Sequence, residues 1–297
     1  MQQRREVGRT SALIDRHPVA TFFTIALGIT WLLWPAALLA VGDRSNAVLV
    51  LVTIPGAFGP AIAAVAVTWL TGGSVRQLLA GVLRWRVAPK WYVVAFVGLP
   101  TAWISVQLAV EIALVPESTF SLDEPSPGLF LIAAIVTAFL FGGQEEIGWR
   151  GFAQPRLQSR YSALTASVIV GVVWAAWHVP LFVFAAGTAI DPGGTPNLTV
   201  YTAGTIALSI TLAWVYNSTG GSILLAMLVH GVANNHSVLV PAPPLDLATA
   251  DLLETTGFVA VALVVIALFG HRTLSSGPLP GSGRAGVPAS GDGEPAD

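Results

Sequence analysis

The 297-residue chain combines 54% hydrophobic residues with only 10% charged residues, and its mean hydropathy is +0.72. Soluble domains carry about 25% charged residues, so this composition predicts a polytopic membrane protein and excludes an ordinary soluble fold. The net charge of −2 argues against a nucleic-acid partner, and the absence of cysteine excludes disulfides, thiolate metal sites and cysteine nucleophiles.

Eight apolar runs are long enough to cross a bilayer at about 20 residues each. They cover residues 19–41, 47–71, 91–115, 128–144, 162–186, 199–216, 222–240 and 257–270. We therefore predict an all-α helix bundle at the cell membrane, with an eight-span domain over residues 19–272. A cytoplasmic segment, 1–18, precedes it, and a Gly-, Pro- and Ser-rich disordered cytoplasmic tail, 273–297, follows. The first run lacks a small-residue cleavage site, so we expect a retained span.

The distribution of basic residues predicts the orientation of these spans. Lys and Arg precede the first run and follow the second, fourth and eighth runs. The connections after the third, fifth and seventh runs hold acidic residues and no Lys or Arg, and Arg44 is the one basic residue in an odd-numbered connection. By the positive-inside rule, both termini are cytoplasmic, which requires an even number of spans.

The segment Gly143–Gly151 places two carboxylates and a guanidinium at the end of the fourth apolar run. An ionisable residue at membrane depth costs about 2.5–3.5 kcal/mol, so these groups need partners. On a helix, Glu146 and Arg150 form an acid-first pair at i and i+4, whereas Glu145 points about 100° away from it. This pattern is typical of a catalytic carboxylate beside a structural ion pair. An interfacial helix end with solvated charges produces the same pattern.

Two histidines and an asparagine lie inside other apolar runs. His178 follows Trp174 by one helical turn in the fifth run, and Asn234 follows His230 by one turn in the seventh. A single intramembrane histidine is commonly a hydrogen bonder between helices. Together with Glu145, however, these residues present a carboxylate, two imidazoles and an amide to one interior, which favours a functional site.

Three sequence motifs within residues 143–236 resemble those of the CAAX prenyl protease and bacteriocin-processing (CPBP, Abi) family of intramembrane endopeptidases. They are Glu145-Glu146-xxx-Arg150-Gly151, Trp174-xxx-His178 and His230-xxx-Asn234. The second motif usually carries Phe where this chain has Trp174. Trp174 keeps an aromatic wall at this position, but the exact shape of the substrate groove does not follow from the motif.

This resemblance implies a role for each motif. Glu145 and His178 activate a water molecule, and His230 and Asn234 hold the developing oxyanion. The neighbouring acid–arginine pair then fixes the helix and the orientation of Glu145. The expected substrate is a membrane-embedded or lipidated peptide or protein in the bilayer.

The sequence is also compatible with a metal site and with two other functions. Glu145, His178 and His230 are ligand types for a catalytic zinc. We favour a site without a cofactor because the HExxH helix of most zinc proteases is absent. A proton-coupled transporter would use the same Glu and His chain as a relay, and a noncatalytic peptide-binding or immunity protein would use the same groove.

Straight helices with these boundaries contain one inconsistency. Counted from residue 128, Glu145 lies about 26 Å down the fourth run, close to the cytoplasmic surface. His178, counted from residue 162, lies about as far from that surface. The two side chains then cannot meet, so we expect an incorrect boundary or a broken helix, with residues 144–160 helical and partly in the membrane.

Overall fold

The computed structural model describes residues 13–41, 46–114, 126–185, 198–239, 247–277 and 279–280, and all regular secondary structure within these ranges is helical. Eight apolar segments, labelled α1 to α8, form the bundle. Three of them are continuous over most of their length: α1 is Pro18–Val41, α6 is Leu198–Ser218, and α8 is Leu247–Thr273 with a kink at Gly270. The short α7 is Ile223–Ala233.

The other four segments are interrupted. α2 comprises Asn46–Ala57 and Gly59–Leu70, and α5 comprises Ala163–Trp177 and Val179–Phe184. α3 comprises Lys90–Val93, a π-helical turn at Val94–Gly98, and Leu99–Leu114. α4 comprises Pro127–Leu140, a 3₁₀ turn at Gly143–Glu145, Glu146–Gly148, a π-helical turn at Trp149–Ala153, and Gln154–Gln158. A short helix, Val75–Ala80, lies between α2 and α3.

Seven of these segments are long and apolar enough to cross a membrane, which confirms the prediction of an all-α, multi-pass membrane protein. The predicted seventh span, 222–240, is not one continuous α-helix. Its α-helix has 11 residues and is about 16 Å long, whereas the hydrocarbon core is about 30 Å thick. Nearly all of its side chains are buried, so α7 packs within the bundle, and a 3₁₀ turn at His236–Leu239 continues it.

Two other predicted boundaries also differ from the structure. The fourth span extends to Gln158 and does not end at residue 144, because its charged side chains are buried inside the bundle. Glu145 therefore lies within the span and not at its end, which removes the inconsistency in depth. The last helix begins ten residues before the predicted run at 257, and Leu274 and Ser275, in the predicted tail, are buried.

Most of the predicted terminal segments, residues 1–12 and 281–297, lie outside the described residues. The side of the membrane that the termini face stays a prediction.

The connections that carry the basic residues lie together at one end of the bundle. Asn217 at the end of α6 donates hydrogen bonds to Gln158 at the end of α4 (2.9 Å) and to the carbonyl of Thr273 at the end of α8 (2.7 Å). Ser222, just before α7, donates to the carbonyl of Arg84 between α2 and α3 (2.7 Å). Except for the buried Arg150, every Lys and Arg of the described residues lies near this end, which we call the basic end.

Candidate active site

A cavity of about 290 Å³ lies between α4, α5, α6, α7 and α8. Its walls include Glu145, Trp174, His178, His230 and Asn234. The structure therefore brings together the carboxylate, both imidazoles and the amide that the sequence places on three separate runs.

A break in α4 directs Glu145 into this cavity. The α-helix ends at Leu140, and Gly142 adopts a φ of 154° that an L-residue with a side chain rarely takes. The N–H of Gly142 donates to Oε1 of Gln144 at 2.8 Å, and the chain continues as the 3₁₀ turn that ends at Glu145. Glu145 is only 3% exposed, so the side chain points inward at the start of the next helical turn.

Two indoles hold one oxygen of the Glu145 carboxylate. Trp174 Nε1 donates to Oε2 at 2.7 Å, and Trp149 Nε1 donates to the same oxygen at 3.2 Å. Among the described residues, no donor occupies Oε1. One oxygen is thus fixed by hydrogen bonds, and the other is available to accept a proton from a molecule in the cavity.

Glu146 and Arg150 form the buried ion pair that their spacing predicts. Arg150 Nη1 lies 3.0 Å from Oε2 and 3.4 Å from Oε1 of Glu146, and both side chains are 0% exposed. Arg150 Nη2 also donates to the carbonyl (2.8 Å) and hydroxyl (2.9 Å) of Ser209 on α6. The pair joins α4 to α6 beside the cavity, and the interpretation as a solvated helix end is wrong.

Both histidines use Nδ1 for contacts with the protein. His178 Nδ1 lies 3.0 Å from the carbonyl oxygen of Trp174, and a carbonyl only accepts, so Nδ1 carries the proton. His230 Nδ1 lies 2.9 Å from Oε1 of Glu146. Each Nε2 is therefore left for the cavity, which both residues line.

His236 has the ordinary structural role of a buried histidine. Its Nδ1 lies 2.7 Å from the carbonyl oxygen of Ala233, and its Nε2 lies 2.8 Å from Nε2 of Gln107 on α3. Both ring nitrogens are engaged by the protein, and His236 does not line the cavity. The comparison separates His178 and His230 from a histidine that serves only to join helices.

We expect Gly142→Ala to abolish any activity of this site. A Cβ at residue 142 would lie 2.9 Å from both Asn234 Nδ2 and His230 Nε2, so the methyl group would displace both side chains and strain the backbone. Gly128→Ala, which adds a methyl group to the same helix in open space, is the control. Peptide hydrolysis by the two purified variants measures the difference. Normal turnover of Gly142→Ala would contradict a role for this pair of side chains.

The side chains do not form a ready-made zinc site. In the described part of the chain, no group of three or more His, Cys, Asp and Glu side chains has an arrangement that could hold a metal ion. One oxygen of Glu145 and one nitrogen of each histidine are already committed to hydrogen bonds. We therefore derive no catalytic step through a metal.

Four contributions to this site were not predicted from the sequence. Trp149 lies one helical turn after Glu145, a spacing that signals a contact on one helix face. Ser209 accepts from Arg150 and Tyr201 lines the cavity. Both belong to α6, and no sequence motif marks them. Trp174 was predicted as an aromatic wall, whereas the structure also makes its N–H the closer of the two donors to Glu145.

Comparison with known proteins finds similarity over the segment that carries the carboxylate, both imidazoles and the amide of this cavity. Residues 127–235 match the model of the family described as type II CAAX prenyl endopeptidase Rce1-like. A curated relative, CAAX prenyl protease 2 of Methanococcus maripaludis, is 30% identical over 148 residues, which cover 47% of this chain and 49% of the relative. The match thus spans about half the length of that relative. The predicted resemblance to the CAAX prenyl protease and bacteriocin-processing family is therefore confirmed across the segment that carries the site.

Proposed function

We propose that the protein is an intramembrane endopeptidase that hydrolyses a peptide bond of a membrane-embedded or lipidated peptide. The observation that carries this proposal is that Glu145, His178 and His230 line one cavity, and that no other described residue forms a hydrogen bond with Oε1 of Glu145 or with Nε2 of either histidine. The match of this segment to CAAX prenyl endopeptidases supports the same reaction class.

Glu145 acts as the general base in this mechanism. Its Oε1 takes a proton from water while the water oxygen attacks the carbonyl carbon of the peptide bond. The two indole donors on Oε2 keep the carboxylate oriented for this transfer. The π electrons of the carbonyl move to its oxygen, and a tetrahedral oxyanion forms.

His178 orients the attacking water molecule, and Glu145 protonates the leaving amine. Because Nδ1 of the neutral ring carries the proton, Nε2 presents a lone pair to the cavity. This nitrogen orients the attacking water by accepting its second hydrogen. When the intermediate collapses, the C–N bond breaks and the proton held by Glu145 passes to the amine nitrogen, which regenerates the carboxylate.

His230 and Asn234 stabilise the oxyanion. The amide of Asn234 supplies N–H donors directly. Nε2 of His230 is a donor when it carries a proton, and the carboxylate of Glu146, 2.9 Å from Nδ1, fixes the orientation of the ring so that Nε2 faces the cavity. Glu146 therefore acts on the reaction through His230 as well as supporting the helix.

A direct assay of the purified protein tests the proposal. A quenched peptide library measures hydrolysis, and proton flux into liposomes that contain the protein measures transport. Cleavage that is lost in Glu145→Gln supports the endopeptidase. Proton flux without cleavage would instead support a proton-coupled transporter, and peptide binding without either would support a noncatalytic binding or immunity protein.

We expect hydrolysis to survive removal of metal ions. A zinc ion bound by Glu145, His178 and His230 would supply a hydroxide by lowering the pKa of its water to about 7, and strong chelators would remove it. Asn234 and His230 provide donors for the oxyanion without a metal. Turnover after exhaustive treatment with 1,10-phenanthroline, together with elemental analysis, measures the dependence. Stoichiometric zinc with activity that is lost on chelation and restored by Zn²⁺ would contradict the metal-free mechanism.

A further inference from the structure

The cavity has a closed floor and extends in one direction from it. On α4, α5 and α7, it begins at Glu145, Trp174 and His230, respectively, and includes no residue nearer to the basic end. Along the same helices it continues only away from that end, to Phe141, His178 and Asn234, respectively.

The two remaining helices show the same direction. On α6 the lining residues run from Leu208 to Tyr201, and on α8 they run from Phe258 to Asp251. Both helices begin at the end opposite the basic end, so these series run toward the first turns of α6 and α8. On all five helices, the lining residues therefore show that the cavity extends away from the basic end.

The protein below the floor is tightly packed. Arg150, Phe152 and Gln154 follow Glu145 on α4 and are all 0% exposed. Gln154 donates to Ser167 on α5, and Arg150 donates to Ser209 on α6, so side-chain hydrogen bonds also close this layer. Among the described residues, this packed layer leaves no path for a substrate from the basic end to Glu145.

The far end of the cavity is exposed and carries acidic side chains. Asn234 is exposed, and Tyr201, Asp251 and Glu254 are partly exposed. Asp251 and Glu254 line the cavity there, and the described residues hold no Lys or Arg at this end of the bundle. A low-dielectric cleft lined by charge of one sign concentrates ligands of the opposite sign.

We propose that the cavity opens on the non-cytoplasmic side of the membrane and admits a cationic peptide segment past Asp251 and Glu254 on α8. The basic end is the cytoplasmic end by the positive-inside rule, and the cavity extends to the opposite end. The substrate, in the part of this inference that rests on the proposed endopeptidase function, is a peptide presented at the outer face with Lys or Arg near the cleaved bond.

The natural absence of cysteine allows a direct test of the sidedness in the full-length protein. Thr255→Cys places one thiol on the wall near the mouth, and Tyr201→Cys places one at a partly exposed lining position of α6 as a second variant. Ser159→Cys, in an exposed position at the basic end, is the matched control. Intact cells are treated with a membrane-impermeant methanethiosulfonate reagent, and the same treatment is repeated after permeabilisation.

We expect the two cavity thiols to react in intact cells and the Ser159→Cys thiol to react only after permeabilisation. Reaction of the cavity thiols only after permeabilisation would overturn the sidedness, and failure to react under either condition would overturn the open mouth. None of these results depends on proteolysis. A protein that labels as expected but cleaves no peptide would contradict the endopeptidase function alone.

Reagents of opposite charge test the preference for cations. In Thr255→Cys, we expect a trimethylammonium reagent to react about tenfold faster than a sulfonate reagent, each rate being divided by its rate with a free thiol. Adding Asp251→Asn and Glu254→Gln to the same variant is expected to bring the two normalised rates close to equality. Equal normalised rates before neutralisation would overturn the cationic specificity.

Discussion

Glu145→Gln is expected to reduce peptide hydrolysis by about 10²–10⁴-fold while the protein stays folded, because a general base contributes a factor of this size. The amide oxygen of Gln can still accept hydrogen bonds from Trp174 and Trp149 at the position of Oε2. Its NH₂ group then occupies the position of Oε1, and this group cannot accept a proton from water near neutral pH. The turnover number of the purified variant and its thermal unfolding are the two measurements.

Glu111→Gln is the matched control for this substitution. Glu111 lies on α3, is 4% exposed and does not line the cavity. Its replacement removes a buried carboxylate of the same chemical type, and we expect turnover to stay near the wild-type value. If Glu145→Gln retained turnover within about tenfold of the wild type, the difference would be too small for the loss of a general base.

The membrane helices and the polar groups of the site were predictable because both produce local signals. Long apolar runs fix the approximate positions of spans, and five of the predicted runs agree with the helices within about two residues at each end. Charged residues inside apolar sequence stand out because burial without partners is costly. The i and i+4 spacing of Glu146 and Arg150 then predicts their ion pair, which is present.

The break in α4 and the end of the fourth span were not predictable by the same means. A hydropathy pattern ends where charges begin, whereas this helix continues to Gln158 because Glu146, Arg150 and Gln154 are buried among partners on other segments. The left-handed backbone at Gly142 and the 3₁₀ turn after it depend on packing against α7, which is distant in sequence. Local sequence carries no information about such a contact.

The contacts between segments also explain why individual roles were harder to predict than the site itself. The sequence motifs contain Glu146 and His230, but their spacing along the chain does not show that the two side chains lie 2.9 Å apart. Ser209 receives two hydrogen bonds from Arg150 and belongs to no motif. These pairings arise from the tertiary fold and connect the ion pair to the proposed oxyanion donor.

Arg150→Met and Glu146→Gln are each expected to lower the free energy of unfolding by about 3–5 kcal/mol, because each leaves its partner's charge buried without compensation. In Arg150→Met, the Glu146 carboxylate keeps only His230, and the carbonyl of Ser209 loses its donor. In Glu146→Gln, the guanidinium of Arg150 is left without its counterion in a 0% exposed environment. Denaturant unfolding of the detergent-solubilised protein measures both losses.

The double variant and a second arginine separate loss of the ion pair from loss of side-chain packing. Once both charges are absent, neither is left uncompensated, so we expect the double variant to lose less stability than the sum of the two single variants. Arg156→Met changes an arginine six residues further along α4 that is partly buried and donates to the carbonyl of Phe152. Its loss of about 1 kcal/mol is the size expected for one hydrogen bond. Additive losses in the double variant would show that Glu146 and Arg150 stabilise the fold through independent contacts, with the ion pair contributing little.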